Sequence, residues 1–532
     1  MKIQLLALSA MGLAFSAFAG QTVSICDKGV VAAAILKQLG TSSCASISQS
    51  ALANISKLDL SDQELYDIDI PANAFQGLDN LSTLDLSANR LKSVPANIFQ
   101  GLIHLSTLNL SSNGITTISS DGFAGLENLS ELDLSYNDLT ALSSAQFQSL
   151  KNLSKLSLYE NQITTISADA FQGLTNLSNI DLGANPLNAI PTQALQSLPK
   201  LSDLGLSAAW SLPIAANAFQ GLTNLTSIDL SGNQFGANLT QLQANVLPAI
   251  QAITNLSTLT LKRSGFTIIP TNAFANLSKL HLFVLDLSEN NQLGTIESDA
   301  FQGLTSLSKL YLDSGQQLTT IQMNAFRGLS NLSVLGLTGC QLPSASTVLI
   351  QGLPNLTELD LGRNPLATIP SNAFQGLPNL KILDLSQDGL TAIPASVTQG
   401  LPNLSLLDLD ENNFTSIPSG ALQSLQHLSE LMLYQNQITT VPANAFLGLS
   451  NLSELDLFQN NINSIDPNSF LGLGHLAKLN ISANQLKTIP PNSFQALTSL
   501  SELDLNGNPM TSVSRSQTGL NATAHVDIPV AP

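Results

Sequence analysis

Side chains able to do chemistry are few and scattered in this 532-residue chain. A metal centre needs several histidines, cysteines or carboxylates at ligand spacing, and a hydrolytic triad needs a histidine beside a nucleophile. The five histidines, His104, His281, His427, His475 and His525, lie far apart. His104, His427 and His475 each stand two residues after a leucine and one before another, so they mark a recurring place rather than a cluster. No H-E-x-x-H, glycine-rich phosphate loop or suitably set G-x-S-x-G occurs. Neither an enzyme nor a cofactor or metal is expected.

Carboxylates are the abundant charged groups: 37 acidic residues against 19 basic give a net charge of −18. That balance disfavours a nucleic-acid or anionic-lipid partner and favours a basic one. Eleven aspartates recur in the same local setting, Asp59, Asp85, Asp133, Asp181, Asp229, Asp286, Asp360, Asp384, Asp408, Asp456 and Asp504. On adjacent strands they would stand roughly 5 Å apart, a repulsive column unless a cation is near. Two readings stay open: a local habit of the strand, or a stripe that steers a basic partner. Calcium has no ligand loop to support it.

The elements that position these residues repeat every 24 residues. Leu81 opens LSTLDLSANRLKSVPANIFQGLIH, and Leu452 opens LSELDLFQNNINSIDPNSFLGLGH. Openings at Ile55, Leu81, 105, 129, 153, 177, 201, 225, 256, 282, 307, 332, 356, 380, 404, 428, 452 and 476 make eighteen full units, and Leu500 starts a partial one. The L-x-x-L-x-L core alternates with the period of a strand that has one face inward. A single coil cannot bury its own leucines, so stability comes from stacking on neighbours. Phenylalanines at one late position, among them Phe99, Phe123, Phe171, Phe374 and Phe494, predict a continuous apolar spine.

This pattern resembles the leucine-rich repeat family, in its 24-residue extracellular type. The resemblance implies an α/β fold: a right-handed solenoid curved as a horseshoe, with a parallel β-sheet on the concave face and short helices or turns on the convex face. Its ninth position is the family's Asn ladder, here Asn89, Asn113, Asn137, Asn161, Asn185, Asn233, Asn290, Asn364, Asn412, Asn436, Asn460, Asn484 and Asn508. Buried amides there satisfy backbone groups of two coils. Cys340 falls at the same position, where the family uses Asn or Cys, and reads as packing rather than as a reactive thiol. Gln63, Ala209, Ser264, Gly315 and Asp388 break the column.

The start MKIQLLALSAMGLAFSAFAG reads as a secretory signal over 1–19. Residues 20–54 read as a helical N-terminal cap, similar to those of bacterial internalin-like proteins, in which Cys26 and Cys44 are expected to pair. Residues 55–508 hold the repeats, and 509–532 a polar closing segment. The unit from Leu225 is lengthened, which predicts a longer convex helix, and Trp210 precedes it. The N-x-S/T triplets follow from the period and are assigned no modification. No later stretch is apolar enough to span a membrane.

Large side chains on the solvated sheet face are the candidate contacts. Tyr136 with Tyr159 and Glu160 form one group, and Tyr311 forms another with Lys309 and Asp313. Met432, Tyr434 and Phe458, edged by Glu430 and Glu454, form the group of choice. The expected function is an exported, extracytoplasmic, bacterial binding protein, monomeric, that holds another protein on its concave sheet, as in recognition at a host or cell surface. A self-associating envelope or matrix protein is the alternative.

Overall fold

A computed structural model describes residues 22–23, 25–44, 47–67, 70–71, 74–208, 213–235, 239, 242–344, 350, 352–393, 398–510, 513–520 and 524–527. The expected signal segment, Ala209 and Trp210 lie outside the described residues. The chain forms two compact units, one of residues 1–233 and 248–256 and the other of 234–247 and 257–532.

Each unit is a parallel-sheet solenoid. In the first, three-residue strands run from Lys57–Asp59 to Ser227–Asp229, each paired in parallel with the next. Leu84, Leu108 and Leu132 are register partners along this ladder, all buried. The second unit repeats the arrangement from Thr258–Thr260 to His525–Asp527. The strand His525–Asp527 extends the sheet one coil past Glu502–Asp504, within the segment read from sequence as a polar end.

Each of these three-residue strands sends one side chain inward between two outward ones. In Glu358–Asp360, Ile382–Asp384 and Leu406–Asp408 the middle leucine is buried and the flanking residues are half-buried. Behind the sheet the phenylalanines stack at ring-centroid separations of 5.9, 6.3 and 6.2 Å through Phe75, Phe99, Phe123 and Phe147. Phe446, Phe470 and Phe494 do the same in the second unit at 6.0 and 5.8 Å.

The ninth-position amides join coil to coil. Asn137 Nδ2 donates to the Leu110, Leu134 and Ser135 carbonyls at 3.0, 3.1 and 3.1 Å, and Oδ1 accepts the Ile115 N–H at 2.9 Å. Cys340 fills its slot with no exposed surface, its Sγ 3.5 Å from the Leu312 carbonyl. Burial pushes that thiol up to about 12. A second ladder runs along the rim, where Asn128 and Asn451 donate to the Ile103 and Gln426 carbonyls of the preceding coil. His427 and His475 take the same place, with Nδ1 2.9 Å from the Pro402 and Ser450 carbonyls. Their placement is structural.

Ahead of the repeats lies a helix, Val30–Leu39, closed by Gly40 in the left-handed conformation, and Cys26 is bonded to Cys44 beside it. The lengthened unit contains the helical segments Leu242–Val246 and Leu247–Ile250, the first wound as a π-helix.

Candidate protein-binding surface

Outward positions three, five and seven of each coil form columns across the sheet face, because strand side chains alternate. The fifth-position aspartates prove to have a local task. Asp133 Oδ1 accepts both the N–H and the Oγ–H of Ser135, at 2.9 and 2.6 Å. Asp59 and Asp229 hold Ser61 and Ser231 in the same way, and Asp286, Asp384 and Asp504 accept the N–H two residues on. An acceptor oxygen at the fifth position thus ties down the turn after the strand, a task Asn109 and Asn480 perform as the aspartates do, and this local role accounts for the column without a ligand.

At two coils the seventh position is itself an aspartate, Asp313 and Asp410, and each accepts the N–H of the seventh residue of the next coil. Asp410 stands where Ser135 and Ser231 stand elsewhere, and it is almost fully buried. Its N–H donates to Asp408 Oδ1 at 2.9 Å, and its own Oδ1 accepts the Tyr434 N–H at 2.6 Å. Burial, then the Asp408 charge, push Asp410 up to about 9. Asp360 is pushed up to about 7 by burial and by Glu358. Burial likewise raises Asp408 and Asp456 above the usual carboxylate range. This face thus holds carboxyl groups partly neutralised by protons. Among the described residues no lysine or arginine forms an ion pair with Asp384, Asp408 or Asp410.

The aromatic groups fall as follows. In the first unit Tyr136 and Tyr159 meet edge to face, with centroids 5.6 Å apart. Tyr136 is 49% exposed, and Glu160 beside Tyr159 is exposed. Gly183 leaves room for the Tyr159 ring, since a Cβ there would come within 3.0 Å of Cδ2. In the second unit Tyr311 sits between Asp286 and Gly336 in register, and the hydroxyl is raised by burial and by Glu358. Lys262 Nζ lies 3.0 Å from Asp286, and Arg263 pairs with Glu289.

Met432, Tyr434 and Phe458 occupy two consecutive coils, all half-buried, and Glu430 is the register partner of Glu454. Lys478 reaches Glu454 at 3.5 Å. Sequence reasoning missed two neighbours. Ile382 and Leu406 are register partners at the outward third position, half-buried, on the two coils that lead into this group. The signal was present: ILD and LLD put an apolar residue where ELD and TLD put a polar one.

A profile of the family described as leucine rich repeat matches residues 79–139, 127–187, 165–209, 175–235, 254–316, 281–342, 306–366, 354–414, 402–462 and 450–510. The chain is similar to TLR13, solved in a complex with ssRNA13, at 27% identity over 85% of this chain and 74% of that one, with a TM-score of 0.55. It shares the fold of Toll, solved in the Drosophila Toll–Spatzle complex, at 21% identity over 85% of this chain and 61% of that one, with a TM-score of 0.62. A Leptospira interrogans leucine-rich repeat protein matches at 26% identity over 90% of this chain and 97% of that one, with a TM-score of 0.43. No curated protein matches by sequence.

Proposed function

Since this chain belongs to the leucine-rich repeat family, we propose that it is an exported protein that binds another protein through the open sheet face of its second unit. The observation that carries this reading is the row Ile382, Leu406, Met432, Tyr434 and Phe458, apolar side chains left on a solvated face. The buried leucines form the core of the fold, and these five side chains lie on the other side of the sheet, half-buried. Large apolar groups in a polar surround carry binding energy well. The Tyr136–Tyr159 pair with Glu160, and Tyr311, are secondary contacts on the same reading.

Export rests on the start of the sequence and on the Cys26–Cys44 bond, which persists in oxidising compartments. The cap resemblance supports a bacterial source and action at a cell surface. A nucleic acid is the ligand in the TLR13 structure. Here a net charge of −18 repels phosphates, so a protein ligand is favoured and catalysis is not invoked. Within the described residues no helix is long and apolar enough to cross a membrane.

Pull-down with the purified chain tests the surface. Tyr434→Ala together with Phe458→Ala should abolish capture of a partner and leave the circular dichroism unchanged. Capture that survives removes this face from the reading. Sedimentation addresses the structural alternative: self-association that the same pair of substitutions disrupts would favour an envelope or matrix role.

A further inference from the structure

The apolar row is not parallel to the strands. Ile382 and Leu406 stand at the third position of their coils, Met432 at the fifth of the next, and Tyr434 and Phe458 at the seventh of that coil and the one after. It is a diagonal ridge across four coils. Three inter-strand steps of about 4.8 Å and four residues of about 3.3 Å give a ridge about 20 Å long.

Carboxylates lie along both flanks of this diagonal. Asp384 and Asp408 stand on the side of later positions at its beginning. Glu430, Glu454 and Asp456 stand on the side of earlier positions at its end. One apolar line with acid on each side calls for a ligand with one apolar line and cations on each side. An extended segment points alternate residues toward and away from the sheet, so it supplies one kind of group to the face. An amphipathic helix supplies both at once. At 1.5 Å per residue, about 20 Å corresponds to about 13 residues.

Resting on the proposed binding face, we infer that its occupant is a basic amphipathic helix of the partner protein, about 13 residues long, laid along the Ile382–Phe458 diagonal. The apolar stripe of the helix packs on Leu406, Met432 and Tyr434. Lysines or arginines on its two flanks meet Asp384 and Asp408 on one side and, on the other, Glu430 and Glu454, the latter in exchange for its Lys478 partner. Part of the affinity is then electrostatic and falls with salt.

The test uses the full chain and two labelled peptides of about 14 residues with identical Leu/Lys composition, one helical with a single leucine stripe and one scrambled. Fluorescence anisotropy should show the helical peptide binding at least tenfold more tightly. Ile382→Ser with Leu406→Ser should remove that preference, and Asp384→Asn with Asp408→Asn should flatten its salt dependence, circular dichroism confirming that each variant is folded. Equal binding of the two peptides would mean a merely cationic ligand and overturn the inference, as would a preference indifferent to both variants. If neither peptide binds while the wild type still captures a partner that Tyr434→Ala with Phe458→Ala releases, the helix falls and the binding face stands. If that capture is absent as well, both fall.

Discussion

Asn364 donates its backbone N–H to Asp388 Oδ1 across 2.8 Å, as the ladder requires, yet Asp388 Oδ2 has no partner among the described residues and is sealed from solvent. On the next coil the equivalent atom is Asn412 Nδ2, which donates to the Leu385, Leu409 and Asp410 carbonyls at 2.8, 3.1 and 3.1 Å. A carboxylate oxygen in such a slot faces acceptors with nothing to donate. Holding a proton relieves this, and burial, with Asp384 nearby, pushes Asp388 up to about 8.

Replacing Asp388 by Asn should therefore stabilise the second unit, and the gain should depend on pH. The folded state binds the Asp388 proton more tightly than the unfolded chain does. Its contribution is fully present below about pH 4, where the unfolded carboxyl is also protonated, and is lost as pH rises to about 8. The difference in unfolding free energy between Asp388→Asn and wild type should grow across that window and then level, reaching on the order of 1–3 kcal/mol. A difference that is flat with pH would show that Asp388 carries no such proton.

Phe470 and Leu471 are adjacent in sequence and opposite in environment. Phe470 is fully buried between Phe446 and Phe494, while Leu471 is 44% exposed. Phe470→Ala should cost about 3–5 kcal/mol in denaturant unfolding, and Leu471→Gln should stay within about 0.5 kcal/mol. Equal costs would mean that the spine is not the shared core of neighbouring coils.

Cys340 should resist thiol reagents in the native protein at pH 8, since the thiolate is suppressed and the sulfur has no exposed surface. In denaturant it should react stoichiometrically. Rapid labelling of the folded chain would contradict its packing role.

Much of this was legible in the sequence. The 24-residue spacing put Leu84, Leu108 and Leu132 in one ladder, and the count from Leu332 put Cys340 among the buried amides, because stacking forces every coil to repeat its neighbour's contacts. What escaped were the two-residue relationships inside a coil. The aspartate column left two readings open, a habit of the strand or a steering stripe, and only its hydrogen bonds to Ser61, Ser135 and Ser231 reveal the local task. Ile382 and Leu406 hid because an apolar residue beside the inward leucines reads as more core. Counting from Leu380 and Leu404 places both at the outward third position, and the register agrees. The division into two units near the lengthened coil was likewise not read from the 31-residue spacing that marks it.

The binding face is tested most directly by photo-cross-linking. A benzophenone residue placed at Met432, on the ridge, is compared with one at Met323, which is 59% exposed and lies outside the sheet. Cross-links to a partner protein from position 432, competed by the unlabelled chain and absent from position 323, are the predicted result. Cross-links from position 323 alone, or equally from both, would contradict it.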